Sequence, residues 1–278
     1  RNARIDRRLG FGRNRRAFLA PEHLHEPRLG FALLVVDLAA AQKVAATFRV
    51  PVRFGRANPG GEDRLDKSPE PRADAAAKAT LPSGFAMHVF ASEPDIRNPI
   101  AFCEDHRGRL WVAEGLSYPK RVGHPPANGT PEQLRKDIFS GKDRILVFED
   151  TDGDHKADKR TVFLENVNLI SGMEFGFGGL WVGAAPYLMF IPITDGDAPK
   201  PAGDPQILLD GWNYTADTHE TLNTFNWGPD GWLYGCHGVF TFSAVGAPGT
   251  PAAQRQKIRA GVWRYHPTKD RFEVVAHG

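Results

Sequence analysis

Three stretches of the chain are imperfect copies of one another, and this repeat limits the possible folds more than any other feature. They span residues 100–113, 170–183 and 222–235. Each contains a short apolar segment, a turn centred on glycine, and a second segment built on Leu-Trp-Val or Leu-Tyr-Gly. Two runs of β-branched and aromatic residues joined by a tight glycine turn are typical of a β-hairpin.

A second, outer hairpin is predicted after each copy. Its strands cover residues 145–148 with 161–164, 188–191 with 206–209, and 262–265 with 272–275. Four antiparallel strands repeated at a period of about 50 to 70 residues are the signature of a β-propeller blade. The sequence therefore predicts an all-β fold with about three four-stranded blades, over residues 81–168, 169–216 and 217–278. Because propellers usually close with about four to eight blades, we expect the chain to be a fragment of a longer protein.

Residues 1–80 differ in composition from the repeats. Residues 1–16 are rich in arginine, residues 31–46 are largely apolar with Asp37 in their middle, and residues 51–79 are rich in proline, alanine and charge. A basic stretch before an apolar run resembles an export signal. The run is too short to cross a bilayer, so no transmembrane helix is expected. We expect residues 1–80 to be a leader or a poorly ordered segment that packs little against the repeats.

Bulk charge and cysteine content exclude some functions. The net charge is +2, and no basic groove with interleaved aromatic residues is visible, so nucleic acid is not an expected partner. Cys103 and Cys236 lie on different predicted blades without metal-ligand spacing. We expect both cysteines to be buried and to pack as small apolar side chains, with a disulfide between them as the alternative.

Several polar residues are predicted to meet at one mouth of the central channel. Because the strands of a blade are antiparallel, the connection between the second and third strands shares a face with the entry to the first strand. This face is predicted to hold Glu114, Tyr118, Tyr187, His219, Asn223 and His237. A histidine flanked by carboxylates can act as a general base near neutral pH. Taken singly, each histidine is better explained as a loop residue that binds its neighbours, so the functional interpretation depends on the convergence of several such residues.

The segment 116–143 interrupts the first predicted blade on that same face. Its prolines and glycines indicate a loop, with one helical turn at residues 130–136. Loops of this length in compact domains are commonly functional. We expect it to overhang the mouth as a wall or lid, with a plain insertion as the alternative.

The loop at residues 150–158 carries the most specific short motif. Asp150, Asp152, Asp154 and Asp158, with the carbonyl of Lys156, could supply hard oxygen ligands to Ca²⁺. His155 stands where an EF-hand loop has glycine, and Thr161 stands where such a loop has its bidentate glutamate. The alternative is a metal-free hairpin turn. Because the loop joins third and fourth strands, an ion here would lie far from His219 and would be structural.

Several segments resemble a known family. They are residues 98–101, 108–115, 150–163 and, above all, 218–223 and 227–240. They are similar to the N-terminal propeller of a bacterial family labelled membrane-bound dehydrogenase, which looks like a distant relative of soluble quinoprotein glucose/sorbosone dehydrogenases. In those enzymes a histidine just before a strand ending in Gly-Pro-Asp is the general base. His219, followed by Trp227-Gly-Pro-Asp230, matches it.

The resemblance implies oxidation of a sugar or polyol alcohol with pyrroloquinoline quinone as cofactor. His219 would be the base, Glu114 and His237 would lie nearby, and Tyr187 and Asn223 would contact the cofactor. It also implies a haem c domain or cytochrome as electron acceptor and a periplasmic or cell-envelope location. The cations that hold the quinone in that family lie mostly in later blades. The chain contains no Cys-x-x-Cys-His haem motif.

Two other functions are compatible with the same predicted fold. One is a non-catalytic propeller that binds glycan or protein at the mouth. The other is a lactonase-type hydrolase with a central Ca²⁺, for which only Glu114 and Asn223 are suitably placed.

Overall fold

The computed structural model describes residues 80–278 apart from 127–128 and 220, together with Ala76 and the two segments 30–38 and 42–50. Within these residues the chain consists mostly of β-strands in antiparallel sheets, with few helices. This confirms the predicted all-β class. No described helix has the length and the apolar character needed to cross a membrane.

A three-stranded sheet precedes the repeats. It contains β1 (Gly30–Leu38), β2 (Gln42–Val50) and β3 (Phe85–Ser92) in the order β2-β1-β3. Two strands thus lie within the segment that the sequence assigned to a leader. Both contain several Val, Leu, Phe or Thr residues, which favour extended backbone, and pairing with β3 satisfies the backbone of β1. Apart from Ala76 and Thr80, the rest of residues 1–80 lies outside the described residues.

Each repeat forms one sheet. Sheet 1 contains β4 (Pro99–Glu104), β5 (Leu110–Glu114), β6 (Asp143–Glu149) and β7 (Lys159–Val167). Sheet 2 contains β8 (Ile170–Gly176), β9 (Gly179–Ala184) and β10 (Tyr187–Thr194), with β11 (Lys200–Pro201) and β12 (Gln206–Leu209) both paired to β10. Sheet 3 contains β13 (Asn223–Trp227), β14 (Leu233–His237), β17 (Gly261–His266) and β18 (Arg271–His277). The four predicted strands of each sheet pair in chain order, with β12 as the fourth strand of sheet 2 and β11 as an additional strand on β10.

The inner hairpins turn at glycine, as the repeat predicts. Gly108, Gly178 and Gly231 have φ of +75°, +77° and +78°. These values lie in the left-handed region that glycine adopts without steric cost. Trp111, Trp181 and Tyr234 therefore lie on second strands, as predicted.

The sheets pack face to face through alternate side chains. Trp111 and Val147 of sheet 1 share one buried cluster with Val182 of sheet 2, whereas Trp181 of sheet 2 shares the next cluster with Trp263 of sheet 3. The first strands lie side by side, with β8 between β4 and β13. The described residues form no closed ring of sheets. This packing brings the first strands of all three sheets to one place.

Two insertions follow second strands. The first insertion, residues 115–142, contains α1 (Pro131–Ile138), whose N-cap Thr130 forms a capping box with Gln133. The predicted helical turn is thus a short helix. The second insertion, residues 238–260, contains the hairpin of β15 (Ser243–Val245) and β16 (Gln256–Ile258). Both cysteines are free thiols, Cys103 buried and Cys236 half-buried.

Candidate functional site

A groove of about 560 Å³ opens where β4, β8 and β13 meet. Its apolar lining includes Ile100, Phe102, Met173 and Phe225. Its polar lining consists of Asn98, Tyr118, Ser171, Thr218, His219, Asn223 and Thr224. The described lining contains no lysine, arginine, aspartate or glutamate. The described part of the groove therefore offers hydrogen-bonding groups and apolar surface, and none of its lining residues carries a fixed charge.

His219 and Tyr118 meet at the groove although they are distant in sequence. Tyr118 Oη lies 2.8 Å from His219 Nδ1. Tyr118 belongs to the first insertion, so this insertion forms one wall of the groove. The sequence predicts that the first insertion overhangs a site containing His219. In the structure, Tyr118 of this insertion lines the same groove as His219. Tyr118 is predicted on this face but is not among the predicted site residues, since no local pattern marks its partner.

Backbone and side-chain contacts hold the segment before β13 against the first insertion. The N–H of His219 donates to Asp217 Oδ1 at 3.0 Å. The hydroxyl of Thr218 donates to the carbonyl of Pro119 at 2.7 Å. These two bonds fix Thr218 and the backbone of His219, which limits how far the His219 ring can move from Tyr118.

Asn223 is the second predicted site residue that the structure brings to the groove. It begins β13 and pairs with Cys236 of β14. The next residue, Thr224, has φ of +60°, and the register between β13 and β14 shifts there. This bulge re-aims the strand next to the groove, as bulges commonly do near binding sites.

Glu114 is fully buried and lies in an ion pair instead of on the groove. Its Oε2 accepts from Arg144 Nε at 2.6 Å, and its Oε1 accepts from the N–H of Arg97 at 2.6 Å. Glu114 and Arg144 are register partners on β5 and β6. The structure therefore gives both carboxylate oxygens a structural partner.

Tyr187 is buried in a polar cluster beneath the first insertion. Its hydroxyl donates to Asp137 Oδ2 at 3.0 Å, and Asp137 also forms an ion pair with Arg121. Asn168 also belongs to this cluster, because its Nδ2 donates to the backbone carbonyl of Asp137 at 3.2 Å. We call Arg121, Asp137, Asn168 and Tyr187 the insertion clamp. Burial, together with the nearby carboxylate of Asp137, raises the pKa of the Tyr187 hydroxyl.

His237 is buried at the base of the second insertion. Its Nε2 lies 2.7 Å from the hydroxyl oxygen of Ser243, and its Nδ1 lies 2.9 Å from the carbonyl oxygen of Gly238. Among the described residues, Glu114, Tyr187 and His237 do not line the groove. Strand topology placed them on the correct side of their sheets, but burial directs their side chains elsewhere.

The acidic loop between β6 and β7 gathers part of the predicted ligand set. One carboxylate oxygen from each of Asp150, Asp152 and Asp158 lies within 4.8 Å of the others. Asp154 lies outside this group, and its Oδ1 accepts the N–H of Lys156 at 2.8 Å. Three clustered carboxylates fit the oxygen preference of Ca²⁺. They are three of the four carboxylates that the sequence predicts as ligands.

The groove does not fit pyrroloquinoline quinone. That cofactor carries several carboxylates, which proteins bind through arginine and lysine. No arginine or lysine is among the described residues of the lining.

Comparison with known proteins places the chain in a family. By its structure the chain is an all-β protein whose antiparallel sheets share a groove between their first strands. Residues 71–278 match the family model described as "Domain of unknown function (DUF7133)", and the chain belongs to this family. No curated protein matches the chain.

Proposed function

We propose that the groove binds a neutral sugar or polyol. The observation that supports this is the composition of its described lining, which combines polar and apolar side chains and contains no charged one. Hydroxyl groups of a sugar can exchange hydrogen bonds with Tyr118, His219 and Asn223, while its C–H faces pack on apolar side chains. Small-molecule sites commonly combine apolar surface with a few placed polar groups, at volumes of about 300–1,000 Å³.

We further propose that sheets 1, 2 and 3 are successive blades of a propeller. The side-by-side packing of β4, β8 and β13 supports this, because the first strand of each blade faces the central axis. The groove would then lie at the mouth of the central channel. An electron-density map of the whole protein tests the proposal, since a propeller requires further sheets that complete a ring around β4, β8 and β13.

Calorimetry on the full chain tests sugar binding. The probes are D-glucose, D-galactose, D-mannose, D-xylose and sorbitol. We expect at least one to bind, and we expect His219→Gln to weaken that binding about tenfold through the loss of ring contacts. His277→Gln, on exposed outermost β18, is the matched control and should bind as the parent does. If none of the five probes binds, the proposal is wrong.

A second candidate function is oxidation of the bound alcohol, favoured by the contact between Tyr118 and His219. When the proton of neutral His219 resides on Nδ1, this nitrogen donates to Tyr118 Oη and leaves Nε2 as a proton acceptor. His219 could then take the proton of a sugar hydroxyl. The hydride acceptor would have to be held by residues outside the described lining. A haem c domain or cytochrome as the final acceptor, and a periplasmic location, stay predictions.

A dye-linked assay separates the two functions. The full chain is supplied with the sugars that bind and with an electron-accepting dye, both with and without pyrroloquinoline quinone. Oxidation that falls about 10²–10⁴-fold in His219→Ala, the usual contribution of a positioned base, would support the dehydrogenase. Binding without oxidation would support a glycan-binding module.

We also propose that the acidic loop binds Ca²⁺ as a structural ion through Asp150, Asp152 and Asp158. Ca²⁺ should raise the melting temperature of the parent but not of Asp152→Asn, because the substitution removes a charged ligand from the cluster. Asp154→Asn is the matched control outside the cluster and should respond as the parent does. An equal response in all three proteins, or none, would return the loop to a metal-free turn.

A further inference from the structure

A second cavity of about 510 Å³ adjoins the groove. Its lining comes from the start of the first insertion and from residues 214–218. Tyr118 and Thr218 line both spaces, and the bond from Thr218 to the carbonyl of Pro119 joins the two segments. These residues form a shared wall, so a molecule that crosses the wall can occupy both spaces.

The second cavity differs from the groove in charge. Lys120 and Asp217 bring one charge of each sign to its lining. The charge of Arg121, also in the lining, is balanced by buried Asp137. A ligand with a single charge would be attracted by one of Lys120 and Asp217 and repelled by the other. A neutral polyhydroxyl ligand can accept from the ammonium group and donate to the carboxylate.

Tyr214 gives this cavity an ordered aromatic side chain. Its half-buried ring lies 5.1 Å from the guanidinium carbon of Arg121, and its hydroxyl lies 3.1 Å from His124 Nδ1. An aromatic ring beside groups that donate and accept hydrogen bonds suits a molecule with both C–H faces and hydroxyls. A sugar unit has this composition.

We infer that the groove and the second cavity are two subsites for neighbouring units of one neutral oligosaccharide. The inference rests on the proposed sugar binding in the groove. The glycosidic linkage would cross the wall of Tyr118 and Thr218, next to His219. Each space is large enough for a small ligand by itself, so the second unit adds contacts without displacing the first.

Calorimetry with matched sugars tests the inference on the full chain. The probes are glucose with cellobiose and maltose, mannose with mannobiose, and xylose with xylobiose. We expect a disaccharide to bind about tenfold more tightly than its own monosaccharide. Lys120→Met, an exposed change that leaves the core untouched, and Tyr214→Leu should lower this ratio toward one. Lys200→Met, on exposed edge strand β11, is the matched control and should keep the parent ratio.

The outcomes are distinguishable. A disaccharide preference that Lys120→Met reduces and Lys200→Met preserves would support two subsites. Monosaccharide binding with no gain for any disaccharide, or a gain that Lys120→Met leaves unchanged, would overturn the second subsite and leave the proposed function intact. Failure of every saccharide to bind the parent would overturn both.

Discussion

The two insertions occupy the same topological position and are held in different ways. The second insertion pairs its own backbone in β15 and β16, and Arg255 joins it to Asp210. The described part of the first insertion has a short helix and no strand pair of its own, and buried side chains of the insertion clamp contribute much of its attachment. Backbone pairing spreads stability over many residues. A side-chain clamp concentrates stability in a few, so substitutions should have very different effects in the two insertions.

The largest effect is expected from Arg121→Ala. The side chains of Arg121 and Asp137 are 2% and 7% exposed, and removal of one partner of a buried pair costs about 3–5 kcal/mol. Denaturant unfolding measures the loss. Arg135→Ala is the matched control, because its pair with Asp204 is solvent-exposed and such pairs contribute about 0–1 kcal/mol. Equal losses would show that the buried pair does not hold the first insertion.

A smaller effect, with a pH signature, is expected from Tyr187→Phe. Loss of a hydrogen bond to a charged acceptor costs about 1.5–3 kcal/mol near neutral pH. Because the folded pKa of Tyr187 is raised above its ordinary value near 10, the unfolded chain ionises first. Stability from this group is therefore complete below pH 10 and is lost as the pH rises further.

The stability difference between the parent and Tyr187→Phe should accordingly shrink at alkaline pH. Unfolding measured between pH 8 and about pH 11 checks this. A difference that stays constant over this range would contradict the assigned burial of the hydroxyl.

Tyr118→Phe should affect binding more than folding. The substitution removes the hydroxyl that contacts His219 and keeps the ring, so we expect monosaccharide affinity to fall about fivefold, or about 1 kcal/mol. Tyr234→Phe, which loses a bond to Asp230 on the opposite side of sheet 3, is the matched control. If both variants bind alike, Tyr118 serves only as a wall.

The smallest effect is expected at Phe240, near the start of the second insertion. Phe240 is 71% exposed, and substitutions at such positions usually change stability by less than about 0.5 kcal/mol. Thermal unfolding of Phe240→Ser should therefore match the parent. A large loss would show that Phe240 contributes to stability as the insertion clamp does.

The strands could be predicted from sequence because their signals are local. Alternating apolar residues and glycine turns predict each hairpin, and Gly108, Gly178 and Gly231 take the backbone conformation that such turns require. The position of the first insertion also follows from strand order. The two strands before residue 51 were missed because their runs of apolar residues were attributed to an export signal.

The site was predicted only in part, because side-chain partners are not local. Strand order places His219 and Asn223 at the groove, yet Tyr118 lies 101 residues from His219. Glu114 was assigned to the mouth, and its partner Arg144 could have been found from the β5–β6 register. For Tyr187, no sequence pattern shows that Asp137 from α1 reaches the same buried position.

The groove is formed by the first strands of three different sheets. This affects the order in which it can form during synthesis on the ribosome. Sheets 1 and 2 contain contacts between neighbours in sequence, so each can form as its own residues emerge. The groove also needs His219 and Phe225, so no shorter nascent chain contains the complete lining. A sugar added during translation could therefore act only on chains extended past β13, after two sheets have had time to fold.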